Sequence, residues 1–161
     1  MFEPVTYDGN LQKKYEMLYK QLDALLEDET DNIANMSNAT ALLNQFLDRT
    51  NWVGFYLMKD GELVLGPFQG LPACVRIAVG KGVCGTAVET KETQVIQDVH
   101  QFPGHIACDA ASQSEVVVPI IVNDEVIGVL DIDSPEKSRF TEEEGELLTR
   151  FVEHLLPHIT H

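Results

Sequence analysis

Apolar and polar residues alternate along this chain with three different periods. From Leu11 to Leu26 the residues Leu11, Tyr15, Leu18, Tyr19, Leu22, Leu25 and Leu26 recur at helical spacing, with Lys13, Lys14, Glu16, Gln21 and Asp23 between them, which predicts an amphipathic helix. A second helix is predicted from about Asp31, buried through Ile33, Met36, Leu42, Leu43, Phe46 and Leu47 and ending near Arg49. The two are expected to pair against one face of a sheet. Trp52 to Met58 and Glu62 to Phe68 then read as strands joined by a hairpin at Lys59-Asp60-Gly61. Val75 to Val79 predicts a third strand, Val83 to Thr90 a short helix and Gln94 to Val99 a further strand. Glu115 to Val122 and Val126 to Ile132 are continuous apolar runs across a turn at Asn123-Asp124, the pattern of strands covered on both faces.

Thr141-Glu142-Glu143-Glu144 matches a capping box, and Leu147, Leu148, Phe151, Val152, Leu155 and Leu156 supply the buried stripe of a closing helix. Two helices, about six mostly antiparallel strands and a last helix predict an α+β fold, a sheet sandwiched by helices. The segment from His100 to Ser114 has no regular period, and a loop of that length in a compact domain is usually functional or disordered.

Composition narrows the class. At 161 residues, 44% hydrophobic and 23% charged, the chain is expected to form a single soluble domain over 1–161, with 1–10 as an N-terminal arm, and shows no internal repeat. Its 26 acidic and 11 basic residues give a formal net charge of -15, which argues against nucleic acid and anionic membranes as partners, since both are bound through basic patches. The first residues lack the basic start and apolar core of a signal peptide, and no apolar run approaches the ~18 residues of a membrane span. A cytoplasmic protein is expected. Three cysteines cannot all pair within the chain, so in a reducing compartment they are free or transiently paired.

Those cysteines carry the candidate chemistry. Cys108 sits among small polar residues ahead of an apolar strand, Cys74 follows Ala73, and Cys84 lies in the glycine-rich Gly80-Lys81-Gly82-Val83-Cys84-Gly85, so all three are placed in loops or element ends. A partly exposed thiol near backbone donors can act as a nucleophile, and Cys108 fits that role best; the alternative is a small buried hydrophobe. The glycine segment satisfies G-x-G-x-x-G, but a dinucleotide fold needs further β-α-β units where here only strands follow. Its glycines are better read as a tight turn bringing backbone amides towards an anion at a helix start. His100, His105 and the cysteines raise the question of zinc, yet no C-x-x-C knuckle exists and no metal is expected. Asp131 and Asp133 share one strand face and, with Glu115, punctuate otherwise apolar strands. Such carboxylates either meet a cation or share a proton, or they are solvated strand-end residues. Trp52 is either core or the aromatic wall of a ligand site.

Taken together these stretches resemble the free methionine-R-sulfoxide reductases, which are single GAF-type domains. The matching segments are Asn51-Trp52-Val53-Gly54-Phe55-Tyr56-Leu57, Gly66-Pro67-Phe68-Gln69-Gly70 with Ala73-Cys74, the glycine segment through Gly85, Gln97-Asp98-Val99-His100, Gly104-His105-Ile106-Ala107-Cys108-Asp109, Ser114-Glu115 and Gly128 to Ser134. The resemblance implies a GAF-like fold, Cys108 as nucleophile, Cys74 as resolving cysteine and Cys84 as an accessory thiol. It implies that Trp52, Glu115, Asp131 and Asp133 line the substrate site. It further implies free L-methionine-(R)-sulfoxide as substrate, no bound cofactor, and thioredoxin as external reductant; homodimers are usual among similar proteins. A non-catalytic GAF module that binds a small molecule, or senses oxidants through a thiol, is the alternative class.

Overall fold

A computed structural model describes residues 2–105 and 109–160. Its elements are α1 (Leu11–Leu26), α2 (Asn32–Phe46), β1 (Trp52–Lys59), β2 (Glu62–Gly70), β3 (Arg76–Ala78), α3 (Gly82–Thr90), β4 (Gln94–Ile96), β5 (Ser114–Val122), β6 (Glu125–Ser134) and α4 (Glu142–Ile159). The six strands form one sheet in the order β3-β2-β1-β6-β5-β4, and every neighbouring pair is antiparallel. The expected α+β sandwich is what the chain forms.

Alternation along the central strands divides the core in two. Val53 and Phe55 of β1, Val116, Val118 and Ile120 of β5, and Leu130 and Ile132 of β6 face α1, α2 and α4. Leu18, Leu22, Leu43, Leu148, Phe151 and Leu155 of those helices cover them, so this side is dry. The intervening residues Trp52, Tyr56, Val117 and Val129 face the other way, towards Val83, Cys84, Ala87 and Val88 of α3. Among the described residues α3 is the one α-helix on the second face, and it leaves space beside it.

Several boundaries depart from the periodic pattern for local reasons. α2 ends at Phe46 rather than near Arg49, because Leu47 turns extended while its amide still bonds the Leu43 carbonyl. The strand expected over 94–99 stops at Ile96: the Asp98 side chain accepts the His100 amide and starts a 3-10 turn at Val99–Gln101. The third strand shrinks to Arg76–Ala78, and β2 runs two residues past Phe68 to Gly70. Thr141 caps α4 by accepting the Glu144 amide at 3.1 Å, as the capping box predicts, but the Glu144 carboxylate turns away to Arg139 and Tyr15. The first two helices do share a sheet face, with α4 beside them: Tyr15 and Tyr19 of α1 both donate hydrogen bonds into α4.

Candidate active site

Strand register assembles the carboxylates. In the antiparallel pairing Trp52 lies opposite Asp133, Asp133 opposite Glu115, and Glu115 opposite Ile96, so one row of side chains crosses β1, β6, β5 and β4 on the α3 side. The next row on that face pairs Gly54 with Asp131 and Asp131 with Val117. Glu115 and Asp131 are each only 6% exposed, and Asp133 is partly open to the space in front of it. Asp131 Oδ1 is buried without a hydrogen-bond partner.

Trp52 forms the floor. It stacks on Phe68 at 5.2 Å and on Tyr56 at 5.8 Å between ring centroids. Gly54 makes this geometry possible, since a Cβ there would collide with Phe68 and with the indole itself. Trp52 Nε1 donates to the Leu71 carbonyl at 3.1 Å, and the Tyr56 hydroxyl donates to the Cys74 carbonyl at 2.9 Å. These bonds set the segment between β2 and β3 over the floor.

The opposite wall is the start of α3. Gly80 and Gly82 take left-handed backbone angles, and Gly85 packs where a Cβ would meet the Ala78 carbonyl oxygen. Turn and close approach thus account for the glycine spacing. Lys81 is the N-cap residue and makes no side-chain cap bond, and Lys81, Gly82, Val83 and Cys84 line the space, so the start of α3 borders it without a side-chain cap. Cys84 belongs to the first turn of α3 rather than to a loop, and its thiol is buried and free.

The cavity, open on one side, measures about 40 Å³, against the roughly 10–15 Å³ that one water molecule needs. Trp52, Tyr56, Leu71, Pro72, Ala73, Lys81, Cys84, His105, Asp109, Ser112, Glu115, Asp131 and Asp133 line it. Asn51 anchors the last part of its rim, donating through Nδ2 to Asp109 at 3.0 Å and to Ser112 at 3.1 Å. Burial, followed by the mutual repulsion of the neighbouring acids, pushes the Glu115 and Asp133 carboxyls well above their ordinary range; burial also raises Asp131. The buried Cys84 thiol is pushed up in the same way, by burial and then by the neighbouring acids. His105 is pushed below its usual value by burial and by nearby His100.

Trp52, Cys84, Glu115, Asp131 and Asp133 thus meet at one cavity, and the Cys74 backbone is held at its edge. Cys108, expected as the nucleophile, lies outside the described residues; in the sequence it falls between His105 and Asp109, which line the cavity. Donor atoms of Cys84, Glu115 and Asp131 come within 4.8 Å of one another, close enough to surround a cation. Sequence reasoning missed Tyr56, Lys81, Asp109 and Ser112. Tyr56 was within reach, because it shares the parity of Trp52 on β1; the others arrive through loop geometry.

A cavity beside a single short helix, on one face of a six-stranded antiparallel sheet, defines the class: the GAF domain family matches residues 36–159. Protein YtsP of Bacillus subtilis is 59% identical over 157 residues, 96% of either chain. The free methionine-R-sulfoxide reductase of Escherichia coli is 53% identical over 146 residues, covering 91% of this chain and 88% of that one. The solved structure of fRMsr of Staphylococcus aureus, in complex with its substrate, superposes with a TM-score of 0.87 at 53% identity, over 97% of this chain and 100% of that one. The chain belongs to the free methionine-R-sulfoxide reductase family, and is an oxidoreductase. No described helix is long and apolar enough to cross a membrane.

Proposed function

We propose that this protein reduces free L-methionine-(R)-sulfoxide to methionine, and that its cavity recognises both charged ends of the free amino acid. The observation that carries the reading is the trio Glu115, Asp131 and Asp133, buried on one sheet face, with Asp131 Oδ1 left unpartnered. An ammonium group supplies the missing cation and its donors. Across the cavity the uncapped start of α3 and Lys81 suit the substrate carboxylate. The Trp52 and Tyr56 rings suit the methylthio group. A methionine sulfoxide inside a protein chain has neither charged end and is excluded.

In the reaction we infer, the Cys108 thiolate attacks the sulfoxide sulfur while a carboxyl of the trio gives a proton to the oxygen. An acid held protonated by burial can donate near neutrality, which an ordinary carboxylate cannot. The hydroxyl passes from the substrate sulfur to the Cys108 sulfur as the new S–S bond breaks, so methionine departs and Cys108 is left as a sulfenic acid. The Cys74 thiol then attacks that sulfur, forming a disulfide and releasing water, and thioredoxin reduces the disulfide by thiol exchange. No bound cofactor takes part. Cys84, whose buried thiol is pushed above its ordinary range, stands beside the ammonium site as an accessory.

The test is NADPH consumption with thioredoxin and its reductase, supplying free methionine-R-sulfoxide, free methionine-S-sulfoxide or a peptide-bound sulfoxide to wild type and Cys108→Ser. Turnover of the free R epimer alone, lost in the variant, is the expected result. No turnover of any of them by folded, reduced protein would overturn the reading in favour of a ligand-binding or oxidant-sensing module.

A further inference from the structure

We propose that Cys84, Glu115 and Asp131 form a binding site for one zinc ion, held where the substrate ammonium is placed, so that the metal and the free amino acid exclude one another. The exclusion rests on the proposed function; the metal site itself does not. One donor atom from each of the three side chains lies within 4.8 Å of the other two, and all three residues are buried. Asp131 is 6% exposed and lines the cavity, and its Oδ1 has no hydrogen-bond partner, which is a second and independent sign of a missing donor or cation. Neighbours across the sheet cannot supply one. Asp131 lies opposite Gly54 on β1 and Val117 on β5, while Glu115 lies opposite Asp133 on β6 and Ile96 on β4. None of the ion pairs among the described residues reaches either carboxylate.

Regular elements carry the three ligands, Glu115 on β5, Asp131 on β6 and Cys84 in the first turn of α3. Gly85, the residue after the thiol, sits so close to the Ala78 carbonyl oxygen that a Cβ would lie 2.5 Å from it, and this contact fixes the depth of Cys84. The donor set selects the ion. Oxygens alone satisfy an ammonium, whereas a thiol beside two carboxylates adds a soft ligand that suits zinc; magnesium and calcium take oxygen donors, usually six or more. Zinc holds sulfur at about 2.3 Å and carboxylate oxygen at about 2.0–2.2 Å, so its donors stand roughly 3.5 Å apart and the trio must contract by about 1 Å. A cavity of about 40 Å³ leaves room for the single water that completes a three-ligand zinc site. Binding sends the Cys84 proton to solvent and transfers no electron.

The test uses protein carrying Cys74→Ser and Cys108→Ser, in which Cys84 is the only cysteine. Cobalt(II) stands in for zinc, because a cobalt–thiolate bond gives a charge-transfer absorption that histidine or carboxylate ligands alone do not. The expected result is that absorption at one cobalt per chain, bleached by one equivalent of zinc. A further Cys84→Ser change should abolish it. Asp131→Asn should instead weaken cobalt binding by more than the roughly 10–100-fold that loss of an outer-shell partner costs, and Glu115→Gln gives the same reading should Asp131→Asn fail to fold. No absorption from the Cys84-only protein, or an unaltered affinity in the carboxylate variant, would overturn the site. Binding of free methionine-R-sulfoxide to the same protein is followed by the fluorescence of Trp52, the only tryptophan of the chain, on the cavity floor. At 100 times its own dissociation constant the amino acid should raise the apparent cobalt dissociation constant by about 100-fold. An unchanged value with the amino acid bound would overturn the exclusion. If the metal-free protein bound no amino acid, the proposed function would fall, and the cobalt absorption would still decide the metal site.

Discussion

One buried acid, Glu144, and a group of three lie on opposite sides of the same sheet, and their surroundings could hardly differ more. On the three-helix side, Glu144 accepts hydrogen bonds from Arg139 at 2.7 Å and from the Tyr15 hydroxyl at 2.7 Å. Arg139 in turn donates to the Asp48 carbonyl at 3.1 Å and to its carboxylate at 3.0 Å, so each charge in this network has a partner. On the α3 side, Glu115, Asp131 and Asp133 crowd together; burial raises all three, and repulsion from the neighbouring acids adds to the rise at Glu115 and Asp133. The first arrangement closes on itself and ties α1, α4 and the chain before β1 together. Among the described residues no ion pair answers the second, which leaves it to attract a cation that arrives from outside. A buried acid signals a ligand site only when the fold leaves it unanswered.

Breaking each group should give opposite outcomes. Glu115→Gln in the unanswered group is expected to lower kcat/KM for free methionine-R-sulfoxide by about 10²–10⁴-fold, the usual loss when a proton donor or its close partner is removed; steady-state kinetics check it. Arg139→Ala strands Glu144 without its cation and should cost about 3–5 kcal/mol of stability, read from urea unfolding.

The pH dependence of stability sharpens the same contrast. The trio keeps its protons to higher pH than the same residues do in the unfolded chain, where carboxyls titrate near their ordinary 3.8 and 4.5. Above that range the folded state therefore binds more protons than the unfolded state, and stability falls as pH rises, by about 1.4 kcal/mol per pH unit for each proton involved. Glu115→Gln removes one such group. Its stability relative to wild type should rise between the ordinary carboxyl range and neutrality and converge with wild type at lower pH, as measured by denaturant unfolding over a pH series. The smallest effect is expected at Thr141→Ala, which deletes the cap that seats Glu144 on α4, at about 1 kcal/mol.

Much of this contrast was legible in the sequence, and the rest was hidden for identifiable reasons. Parity along β6 places Asp131 and Asp133 on one face, and the turn residues Asn123 and Asp124, both with positive φ, set β5 against β6. Strand pattern alone says that Glu115 interrupts an apolar run; that it lies directly opposite Asp133 depends on register, which a bulge between Ile120 and Ile121 shifts. Arg139 and Glu144 look like ordinary surface residues in sequence, because one follows Ser138 in a loop and the other occupies a capping-box position. Only tertiary packing turns them inward. The carbonyls of Leu71 and Cys74 carry no sequence signature at all, so the bonds from Trp52 and Tyr56 become visible only with the chain folded.

The most direct test of the central claim is to compare kcat/KM of the wild-type protein for free methionine-R-sulfoxide with that for its N-acetyl derivative, which keeps the sulfoxide and the carboxylate but has no ammonium group. If the unanswered carboxylates of the α3 side exist to meet that ammonium, the free amino acid should be preferred by at least about 100-fold, as expected where a site built for a polar group is left unpaired. Equal turnover of the two would contradict the account, because the three buried acids would then have no part in recognising the substrate.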